Sequence, residues 1–524
     1  MRSIVLSGPM ASGKTTVGRA LAAKLSLPFV DTDDVLVAKG GAATVAELWN
    51  RDGEARFRAR EAEIARELLA DPAPRVIAFG GGTVTRTDVR RLALSRALVV
   101  TLRARPATTL ARVGDLSARP NLNVGDPAAR AEELLTERAA AYAECHGSFA
   151  TDDQSVDDLV DEIAALALRD PVVVPLGERT YTIDLVVDDP RALSLAIAEL
   201  GPSAIITVTD SNVARHRKDA RKAALSSLAI REHDVVLPPG EEHKTMVSVA
   251  AIWDAALGAG IDRDAVVLAY GGGVVGDMAG FAASTLLRGV RFVQAPTTLL
   301  SMVDASVGGK TGFDHPTGKN LIGAFWQPSA VVIDLAHLTT LPPRQAISGF
   351  AEIVKIALSH DEALFCALEE KIDLLLAGDF EALMPVVRRA IELKAAVVMD
   401  DERETGARAV LNLGHTVGHA LETFGEYKRW LHGEAVALGL VTELRVARAL
   451  GLASDAPMAR VAALLHKFHL PTEVDAATLR RALTHVSSDK KRAGDSLFLP
   501  IVTRVGQAAM VKVAMDHFLA AAKG

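Results

Sequence analysis

The stretch Gly8-Pro-Met-Ala-Ser-Gly-Lys-Thr15 decides the fold of the N-terminal part of this chain. It follows a short apolar segment, Arg2 to Ser7, and precedes an amphipathic segment from Thr16 to Lys24. The pattern G-x-x-x-x-G-K-[ST] between a strand and a helix is typical of a loop whose backbone N–H groups bind phosphate. In such loops the lysine reaches the outer phosphates and the hydroxyl binds Mg²⁺. The sequence therefore predicts an α/β nucleotide-binding domain with these roles for Lys14 and Thr15.

Acidic, basic and glycine-rich segments follow where a second substrate of this domain is expected. Phe29-Val-Asp-Thr-Asp33 ends a second predicted strand, and strand alternation is expected to point the carboxylates of Asp31 and Asp33 to one side. One carboxylate could assist Mg²⁺, and the other could orient or deprotonate a hydroxyl. Ile77-Ala-Phe-Gly-Gly-Gly82 ends a third strand in glycines, which allow a small ligand to approach the backbone. Three arginines on later segments could bind anionic groups: Arg58, Arg119 and Arg138.

The order of these motifs resembles shikimate kinase over residues 1 to about 165. The resemblance implies an ATP- and magnesium-dependent kinase that acts on shikimate, with catalytic roles for Lys14, Asp33 and Arg119. The residues implied to bind ATP are Gly8, Ser12, Gly13, Lys14, Thr15, Thr16, Arg112 and Arg119. Those implied to bind shikimate are Asp33, Arg58, Gly81 and Arg138. Magnesium would be bound by Thr15 and, indirectly, by Asp31.

The first domain is predicted to end near residue 170. Apolar residues recur at helical spacing among acids from Asp152 to Ala167, which predicts a terminal amphipathic helix. Arg169-Asp-Pro171 then interrupts the pattern. Val172 to Val174 and Thr180 to Val187 are predicted to begin a new series of strands.

Composition excludes several classes of function. The 524 residues include 58 Lys and Arg and 65 Asp and Glu, which gives a formal net charge of −7. The sequence contains no basic tract with interleaved aromatic residues, which argues against nucleic acid as a partner. Cys145 and Cys366 lie far apart, which argues against disulfides or a cysteine metal site and fits a reducing cytoplasm. We expect no signal peptide, and the apolar runs are interrupted before the length of about 18 residues that a membrane span needs.

Histidines in the C-terminal part indicate a metal site. His415 and His419 lie four residues apart on an apolar predicted helix, and His432 follows in Trp-Leu-His-Gly-Glu. Four residues are about one helical turn, so the first two imidazoles can point at one zinc ion. Glu352 is the candidate for a further ligand, with Lys355 three residues later on the same helical face. A helical histidine pair alone is more often a structural feature, but the neighbouring motifs favour the metal interpretation.

Glycine-rich segments upstream of these histidines indicate a nucleotide site. The apolar run Ala265 to Tyr270 predicts a buried strand, and Gly271-Gly-Gly-Val-Val-Gly-Asp277 follows as a turn and helix N-terminus of the kind that binds phosphate. Its spacing is not the usual G-x-G-x-x-G pattern, so spacing alone leaves a purely structural turn open. Asp304 to Lys310 and Lys319 to Gly323 are predicted to be glycine-rich turns with lysines, where the backbone could approach a phosphate.

From Val172 to its end, the chain resembles 3-dehydroquinate synthase. Further segments that match this family are Leu176-Gly-Glu-Arg179, Pro239-Gly-Glu241, Arg288 to Gln294, Pro296-Thr-Thr298 and Gly318-Lys-Asn320. The resemblance implies three parts: a kinase domain in residues 1–170, an α/β NAD-binding half in 171–330 and a mostly helical metal- and substrate-binding half in 331–524. It implies conversion of 3-deoxy-D-arabino-heptulosonate 7-phosphate to 3-dehydroquinate with release of phosphate. NAD would act catalytically beside zinc or another divalent ion such as cobalt, in a homodimer.

The same resemblance implies roles for individual residues of the second part. Zinc would be bound by Glu352, His415 and His432, and catalysis would involve Lys310, Lys355, Arg408 and His419. NAD would contact Asp210, Asn212, Glu241, Lys244, Gly272, Gly273, Asp277, Thr297, Thr298, Lys310 and Lys319. The substrate would contact Asp304, Lys310, Asn320, Lys355, Lys394, Arg408, Asn412, His419 and either Lys490 or Lys491, together with Arg288 of a neighbouring subunit.

Alternatives for both parts remain open at this point. The second part could be a metal-dependent alcohol dehydrogenase of the glycerol dehydrogenase type, which would release free NADH and would not need the phosphate-binding lysines. The first could be a P-loop kinase for another small polyol, such as gluconate. A half that served only as a scaffold would lack motif residues, whereas they are present in both halves. We therefore expect a cytoplasmic, bifunctional enzyme of aromatic amino-acid biosynthesis with two separate active sites.

Overall fold

The structure of the chain is a computed structural model, which describes residues 1–113, 126–490 and 496–523, without the side chains of 487–490. Contacts along the chain divide it into two units, Met1–Thr182 and Ile183–Gly524. In the described ranges, no helix is long and apolar enough to cross a membrane.

The first unit is an α/β domain built on a parallel sheet. Its strands are β1 (Ser3–Ser7), β2 (Phe29–Asp31), β3 (Val76–Ala78), β4 (Ala97–Arg103) and β5 (Gly147–Ala150), followed by β6 (Val172–Val174). The sheet has five strands in the order β2-β3-β1-β4-β5, and its strand pairs are parallel. The helices are α1 (Lys14–Leu25), α2 (Thr32–Gly40), α3 (Val45–Ala70), α4 (Thr87–Arg96), α5 (Pro106–Val113), α6 (Pro127–Ala143) and α7 (Val156–Arg169).

Helices on both faces of this sheet explain why its central strand is apolar at consecutive positions. Ile4 and Leu6 pack in one buried cluster with residues of α1 and α7. Val5 points to the other face and packs in a second cluster with residues of α3 and α4. A parallel sheet that is covered on both faces has no solvent-facing side for polar residues to alternate into. The α/β fold predicted for this unit is confirmed.

Two local predictions for the first unit were wrong. Asp33 is not in a strand, because β2 ends at Asp31 and the side chain of Asp31 caps α2 by accepting a hydrogen bond from Asp33 N. Strand alternation therefore does not set the direction of the Asp33 carboxylate. The terminal helix begins at Val156 and not at Asp152, because the hydroxyl of Ser155 caps it and fixes its start.

The second unit begins with an α/β region. Its strands are β7 (Tyr181–Val186), β8 (Ala204–Asp210), β9 (Arg231–Leu237), β10 (Val266–Gly271), β11 (Arg291–Pro296), β12 (Lys310–His315), β13 (Gly318–Phe325) and β14 (Ala330–Asp334). Parallel strands follow the order β7-β14-β11-β10-β8-β9, whereas β12 and β13 form an antiparallel hairpin. The helices are α8 (Pro190–Ala198), α9 (Ser211–Leu225), α10 (Met246–Gly258) and α11 (Gly273–Thr285). The predicted buried strand and helix N-terminus around Gly271 are confirmed.

The prediction of a glycine-rich turn from Lys319 to Gly323 was wrong, because these residues lie inside β13. Gly323 pairs with Gly312 of β12. A Cβ atom at Gly323 would lie 2.2 Å from Thr311 O, and one at Gly312 would lie 2.4 Å from Ile322 O. The glycines thus allow the two strands to approach each other closely, and they do not form a turn.

The remainder of the second unit is mostly helical, as predicted. Its helices are α12 (Pro343–His360), α13 (Glu362–Glu370), α14 (Ile372–Leu376), α15 (Phe380–Asp400), α16 (His415–Phe424), α17 (His432–Ala449), α18 (Asp455–Lys467), α19 (Ala476–Lys490) and α20 (Met515–Lys523). An antiparallel hairpin, β15 (Ser496–Arg504) and β16 (Gln507–Ala514), precedes α20. A buried apolar cluster joins α16, α17, α19 and this hairpin.

Candidate active sites

A cleft of about 590 Å³ in the first unit brings together most residues that were predicted to act there. The segments after β1, β2 and β3 line it, because the carboxyl ends of parallel strands meet at one edge of the sheet. The predicted residues that line the cleft are Ser12, Gly13, Lys14, Thr15, Thr16, Asp31, Asp33, Arg58, Gly81, Arg112 and Arg138. Gly8 begins the loop, and Arg119 lies outside the described residues.

The loop after β1 has the backbone geometry of a phosphate cradle. Gly8 and Gly13 have positive φ angles of 131° and 93°, where side chains are strained. A Cβ atom at Gly8 would lie 2.2 Å from Leu102 O. The Lys14 ammonium donates to Gly8 O at 3.0 Å and to Pro9 O at 2.6 Å, which holds it across the loop. The N-terminus of α1 faces the same loop, and its free N–H groups favour an anion.

A hydroxyl and a carboxylate meet beside this loop. Thr15 Oγ1 donates a hydrogen bond of 2.7 Å to Asp31 Oδ2. The other oxygen of Asp31 accepts from Asp33 N at 3.0 Å, which fixes the orientation of the carboxylate. Oxygen groups of this kind are the ligands that Mg²⁺ prefers.

Arg58, on the opposite wall of the cleft, is held by Glu61, a residue that the sequence analysis did not identify. Glu61 is only 3% exposed, and its carboxylate accepts from Arg58 Nη1 and from Thr83 Oγ1, both at 2.8 Å. The guanidinium of Arg58 also lies 5.2 Å from the ring centroid of Trp49. The available signal was the spacing of three residues between Arg58 and Glu61, which places them on one helical face.

Two further arginines of the cleft are held by backbone carbonyl groups. Arg138 Nη1 donates to Gly81 O at 3.1 Å, and Tyr142 OH donates to the same oxygen at 2.6 Å. Arg112 Nη2 donates to Thr151 O at 2.6 Å. Because carbonyl oxygens carry only partial charge, both guanidinium groups keep their positive charge available for an anionic ligand.

The second unit contains a cluster of three metal-ligand side chains. Glu352 comes from α12, His415 from the N-terminus of α16 and His432 from the N-terminus of α17. Glu352 Oε1 lies 3.5 Å from His415 Nε2 and 3.6 Å from His432 Nε2. These three residues were predicted from the sequence as a set, and the fold brings them together from three segments that are distant in the chain.

Close helix packing positions these three side chains. A Cβ atom at Gly433 would lie 1.9 Å from Ser348 O, so glycine is needed where α17 meets α12. Glu443, a buried carboxylate on α17, accepts from Gly414 N at 2.8 Å and from Val417 N at 3.1 Å. It thereby fixes the start of α16, where His415 lies, and no local sequence signal marked it for this role.

The residues present fit a divalent metal ion. Glu352 Oε1 is buried, and no described residue forms a hydrogen bond with it. An unsatisfied buried carboxylate oxygen is costly, and a cation between it and the two imidazoles would remove that cost. His415 Nδ1 lies 3.2 Å from Leu413 O, so its N–H donates there and leaves Nε2 as the ligand atom. One carboxylate and two imidazoles leave a tetrahedral zinc site one open position.

Charges around the cluster oppose one another in the metal-free protein. Burial and the nearby Lys355 lower the pKa of His415 to about 3. Burial would also lower the pKa of His432, but the neighbouring carboxylates of Glu352 and Glu422 raise it to about 10. Burial alone would raise the pKa of Glu352, but the Lys355 ammonium lowers it to about 2.

His419, the other histidine of α16, is exposed and lies beside the cluster. The centroid of its ring is 5.2 Å from that of the His415 ring.

Cations converge beside the metal-ligand cluster. Lys394 Nζ donates to Asp304 Oδ1 at 2.5 Å, and the Arg408 side chain, 3% exposed, donates to Glu402 O at 2.7 Å. Burial, together with the charges of Arg408 and Lys394, lowers the pKa of Lys310 to about 8. Such a group of cations favours a ligand with several negative charges.

An acidic residue that was not predicted lies among these cations. Glu404 forms an ion pair with Lys310 and accepts a hydrogen bond of 2.8 Å from Asn412 Nδ2. Its φ angle of 55° is unusual for a residue other than glycine. Lys310 and Asn412, both predicted to contact substrate, are thus joined through one carboxylate.

The predicted NAD residues lie in two groups in the α/β region. Asp210 caps α9, and its carboxylate accepts from Asn212 N at 2.8 Å. Lys244 Nζ donates to Asp277 Oδ2 at 2.6 Å and to Asn320 Oδ1 at 2.5 Å, so Asn320 lies beside two predicted NAD residues. Four more of the predicted NAD residues lie in this region: Gly272 and Gly273 at the start of α11, and Thr297 and Thr298 directly after β11.

Arg288 has no described contact with these groups, and Lys490 and Lys491 cannot be placed among them. Arg288 is exposed and has a φ angle of 68° in a short 3₁₀ helix, Leu286–Arg288. Lys490 ends α19, but its side chain and the whole of Lys491 lie outside the described part of the chain.

A nucleotide-type cleft in one unit and a metal-ligand cluster beside a glycine-rich α/β region in the other define a two-part enzyme. The family model for Shikimate kinase matches residues 10–167. The models for 3-dehydroquinate synthase N-terminal and C-terminal match residues 234–348 and 349–492. The chain belongs to the 3-dehydroquinate synthase family and carries a shikimate kinase domain before the synthase.

Individual relatives agree with this assignment. A 3-dehydroquinate synthase of Citrifermentans bemidjiense is 46% identical over 325 residues, which are 62% of this chain and 90% of that protein. One of Acinetobacter baumannii is 44% identical over 65% of this chain and 94% of that protein. The solved ValA, a 2-epi-5-epi-valiolone synthase from Streptomyces hygroscopicus subsp. jinggangensis with NAD⁺ and Zn²⁺ bound, has 32% identity and a TM-score of 0.58 over 65% of this chain and 95% of that chain. The alternative of a glycerol dehydrogenase is not better supported.

Proposed function

We propose that the chain catalyses two separate reactions at the two sites described above. The first is the transfer of phosphate from ATP to shikimate, and the second converts 3-deoxy-D-arabino-heptulosonate 7-phosphate into 3-dehydroquinate and phosphate. The observation that carries the proposal is that each family's motif residues converge in its own unit, around one cleft and one metal-ligand cluster. We further propose residues 1–170 as the kinase part, 171–330 as the NAD-binding half and 331–524 as the metal-binding half.

In the kinase, we propose that the loop from Gly8 to Thr16 binds ATP and that Thr15 and Asp31 bind magnesium, Asp31 indirectly. The geometry that supports this is the short bond between those two side chains. Asp33 would orient or deprotonate the shikimate hydroxyl, and the carbonyl-held arginines would bind the anionic groups. Arg58, held by Glu61, would bind the shikimate carboxylate, because a fixed guanidinium recognises a carboxylate through two hydrogen bonds. Gly81 and Arg138 would complete the shikimate site, and Arg112 and Arg119 the ATP site.

In the synthase, we propose NAD as a catalytic cofactor and zinc or another divalent ion, such as cobalt, as the metal. The support is the unsatisfied oxygen of Glu352 between two imidazoles and the NAD⁺ and Zn²⁺ in the similar ValA structure. The metal would act as a Lewis acid that lowers the pKa of a substrate hydroxyl. Glu352, His415 and His432 would hold it, and His419 would move a proton beside it. Residues around Asp210, Lys244 and Gly272 would bind NAD.

The phosphate and carboxylate of the synthase substrate would be bound by the converging cations. We propose that Lys310, Lys355, Lys394 and Arg408 do this, together with Asp304, Asn320, Asn412 and one of Lys490 and Lys491. The lowered pKa of Lys310 supports the assignment, because a cation among cations is stabilised by an incoming anion. Arg288, which is exposed on its own chain, would reach the site of a second copy in a homodimer.

We propose that the two activities are independent and that the protein works in the cytoplasm. The two cysteines described are free thiols, one buried and one half-buried, as expected in a reducing compartment. The product of the synthase is not the substrate of the kinase, because dehydration and reduction must intervene. Direct transfer between the sites is therefore not expected.

The test uses the full-length protein and both substrates. Phosphate release from 3-deoxy-D-arabino-heptulosonate 7-phosphate is measured with NAD far below the substrate concentration, before and after a zinc-selective chelator. We expect chelator-sensitive release that zinc or cobalt restores, no net NADH, and unchanged formation of ADP from shikimate, ATP and magnesium. Net NADH from a simple polyol without phosphate release would support the dehydrogenase instead.

A further inference from the structure

Glu422, on α16, is a buried carboxylate that contacts two functional residues. Its side chain is 3% exposed. Oε1 lies 3.3 Å from His432 Nδ1 and 3.2 Å from Lys319 Nζ. Oε2 is buried, and no described residue forms a hydrogen bond with it. A carboxylate is costly to bury, so its environment calls for an explanation beyond packing.

His432 has one ring nitrogen towards each of two carboxylates. Nε2 faces Glu352, at 3.6 Å from Oε1, whereas Nδ1 faces Glu422. A neutral imidazole carries one N–H group, and a carboxylate that accepts it at Nδ1 leaves the lone pair on Nε2. Glu422 therefore selects the tautomer that can bind a metal ion beside Glu352.

Lys319 connects the same carboxylate to the α/β region. Its ammonium lies 3.0 Å from Glu241 Oε1 as well as 3.2 Å from Glu422 Oε1, and 4.4 Å from the centroid of the Tyr427 ring. Lys319 belongs to β13, and Glu241 lies in the segment before α10, whereas Glu422 lies in the helical part. The Lys319 ammonium thus connects Glu241, which is assigned to NAD binding, with Glu422, which contacts the metal ligand His432.

Glu422 could instead be a metal ligand itself, because its carboxylate and the rings of His419 and His432 could hold a metal ion, with all ligand atoms within 4.8 Å of one another. Two observations argue against this role. The Lys319 ammonium already lies at Oε1 and would repel a second cation there. His432 cannot offer Nδ1 to a metal while its Nδ1–H donates to Glu422.

We propose that Glu422 is a positioning residue that holds His432 in its metal-binding tautomer and that, through Lys319, couples the metal site to the NAD site. The proposal rests on the proposed function, since it assumes that both groups bind. When NAD engages the Lys319 ammonium, Glu422 loses a competing donor and becomes a stronger acceptor for His432. A stronger acceptor raises the basicity of a histidine ligand, so NAD is expected to tighten metal binding.

Variants of Glu422 should weaken metal binding in a graded way. Glu422→Gln keeps an acceptor oxygen but removes the charge, whereas Glu422→Ala removes the acceptor. Loss of such a partner of a histidine ligand typically weakens metal binding by about 10- to 100-fold, so we expect this range for Glu422→Ala and a smaller loss for Glu422→Gln. Lys319 keeps Glu241 as a partner in both variants. The matched control is Glu426→Gln, an exposed glutamate after the same helix.

The experiment measures zinc affinity of the full-length protein by chelator competition, with and without NAD, and records the visible spectrum of the Co²⁺-loaded form. In the wild type we expect NAD to tighten metal binding by about fivefold or more, the lower end of typical coupling between sites. Metal should tighten NAD binding by the same factor. Both effects should vanish in Glu422→Ala, and the cobalt spectrum should change, whereas the Glu426→Gln control should match the wild type.

Each other outcome has a definite meaning. Wild-type affinity and an unchanged cobalt spectrum in Glu422→Ala would overturn the positioning role. Two metal ions per wild-type chain, one of which is lost in both variants, would show that Glu422 is a ligand. If the wild type bound no zinc, the proposed function itself would fail. Should Glu422→Ala not fold, Glu422→Gln decides, because its amide has nearly the shape of the carboxylate.

Discussion

The two active sites hold their cations in different ways. In the kinase cleft, Lys14 and Arg138 are held by backbone carbonyl oxygens of the loops that form the cleft. In the synthase, two buried cations pair with carboxylates, Lys355 with the buried Glu352 and Lys394 with the half-buried Asp304. The described hydrogen bonds of Lys14 and Arg138 thus go to neutral groups, and Arg58, which pairs with Glu61, is the exception in the kinase cleft, whereas the synthase cations Lys355 and Lys394 pair with carboxylates.

This difference has an energetic consequence. Removal of one partner of a buried ion pair leaves the other charge unpaired and lowers the free energy of unfolding by about 3–5 kcal/mol. Loss of a hydrogen bond from a side chain to a carbonyl group lowers it by only about 1 kcal/mol. Substitutions in the synthase site should therefore affect stability as well as activity. Those of Lys14 and Arg138 in the kinase cleft should mainly affect activity.

The largest effect is expected for His415→Ala, which removes a ligand from the metal-ligand cluster. Loss of a hydrogen-bond partner of a metal ligand typically lowers metal affinity or activity by about 10- to 100-fold. Loss of the ligand itself should therefore reduce the rate of phosphate release by more than about 1,000-fold. Phosphorylation of shikimate should not change. His466→Ala, which changes an exposed histidine on α18, is the control. A loss of both activities would show that the two units are not independent.

The converse substitution is Lys14→Ala in the kinase. Loss of one preorganised donor to a transition-state oxygen typically costs about 100- to 1,000-fold in kcat, and we expect this range for ADP formation with shikimate. Phosphate release by the synthase and the unfolding temperature should stay as they are. Lys24→Ala on the same helix, whose ammonium pairs with Asp161 at the surface, controls for loss of a lysine. Equal kinase rates in the two variants would contradict the assigned role of Lys14.

A pH dependence should distinguish the synthase site from the kinase cleft. In the metal-free protein the pKa of His432 is about 10, above its ordinary 6.5, so at pH 7 a metal ion must displace a proton. Apparent zinc affinity should rise by about tenfold per pH unit near neutrality, with release of a proton that calorimetry in different buffers detects. The stability that this proton gives the metal-free protein is present below pH 6.5 and is lost as the pH rises towards 10. A zinc affinity independent of pH would contradict this.

The smallest effect is expected for Glu61→Gln. The amide can still accept a hydrogen bond from Arg58, but it lacks the charge, and a loss of about 1 kcal/mol corresponds to about a fivefold rise in KM for shikimate. The KM for ATP should not change, because Arg58 lies on the opposite wall of the cleft. Glu63→Gln, two residues later and exposed, is the control. If KM rose for both substrates, Glu61 would support the whole cleft and not Arg58 alone.

Particular residues show how far sequence reasoning reached. The strand, loop and helix around Gly13 could be predicted, because the glycines, the lysine and the hydroxyl of the motif lie within eight consecutive residues. Asp33 was assigned to the right cleft through the wrong element, since a side-chain cap ended β2 earlier than the strand pattern indicated. The segment at Lys319 was taken for a turn because glycines in a hairpin and in a loop look alike without their partner strand.

The sequence by itself determined the local pieces: a strand, loop and helix around Gly13, and histidines one turn apart on α16. These depend on backbone periodicity and on glycine's freedom, which neighbouring residues fix. Only the tertiary structure decided that Glu422 of α16 lies beside Nδ1 of His432 of α17. These two helices pack so closely that a Cβ atom at Gly439 of α17 would lie 1.9 Å from Gly414 O, at the start of α16. Side chains far apart in sequence meet only where helices pack, and packing is a property of the whole fold.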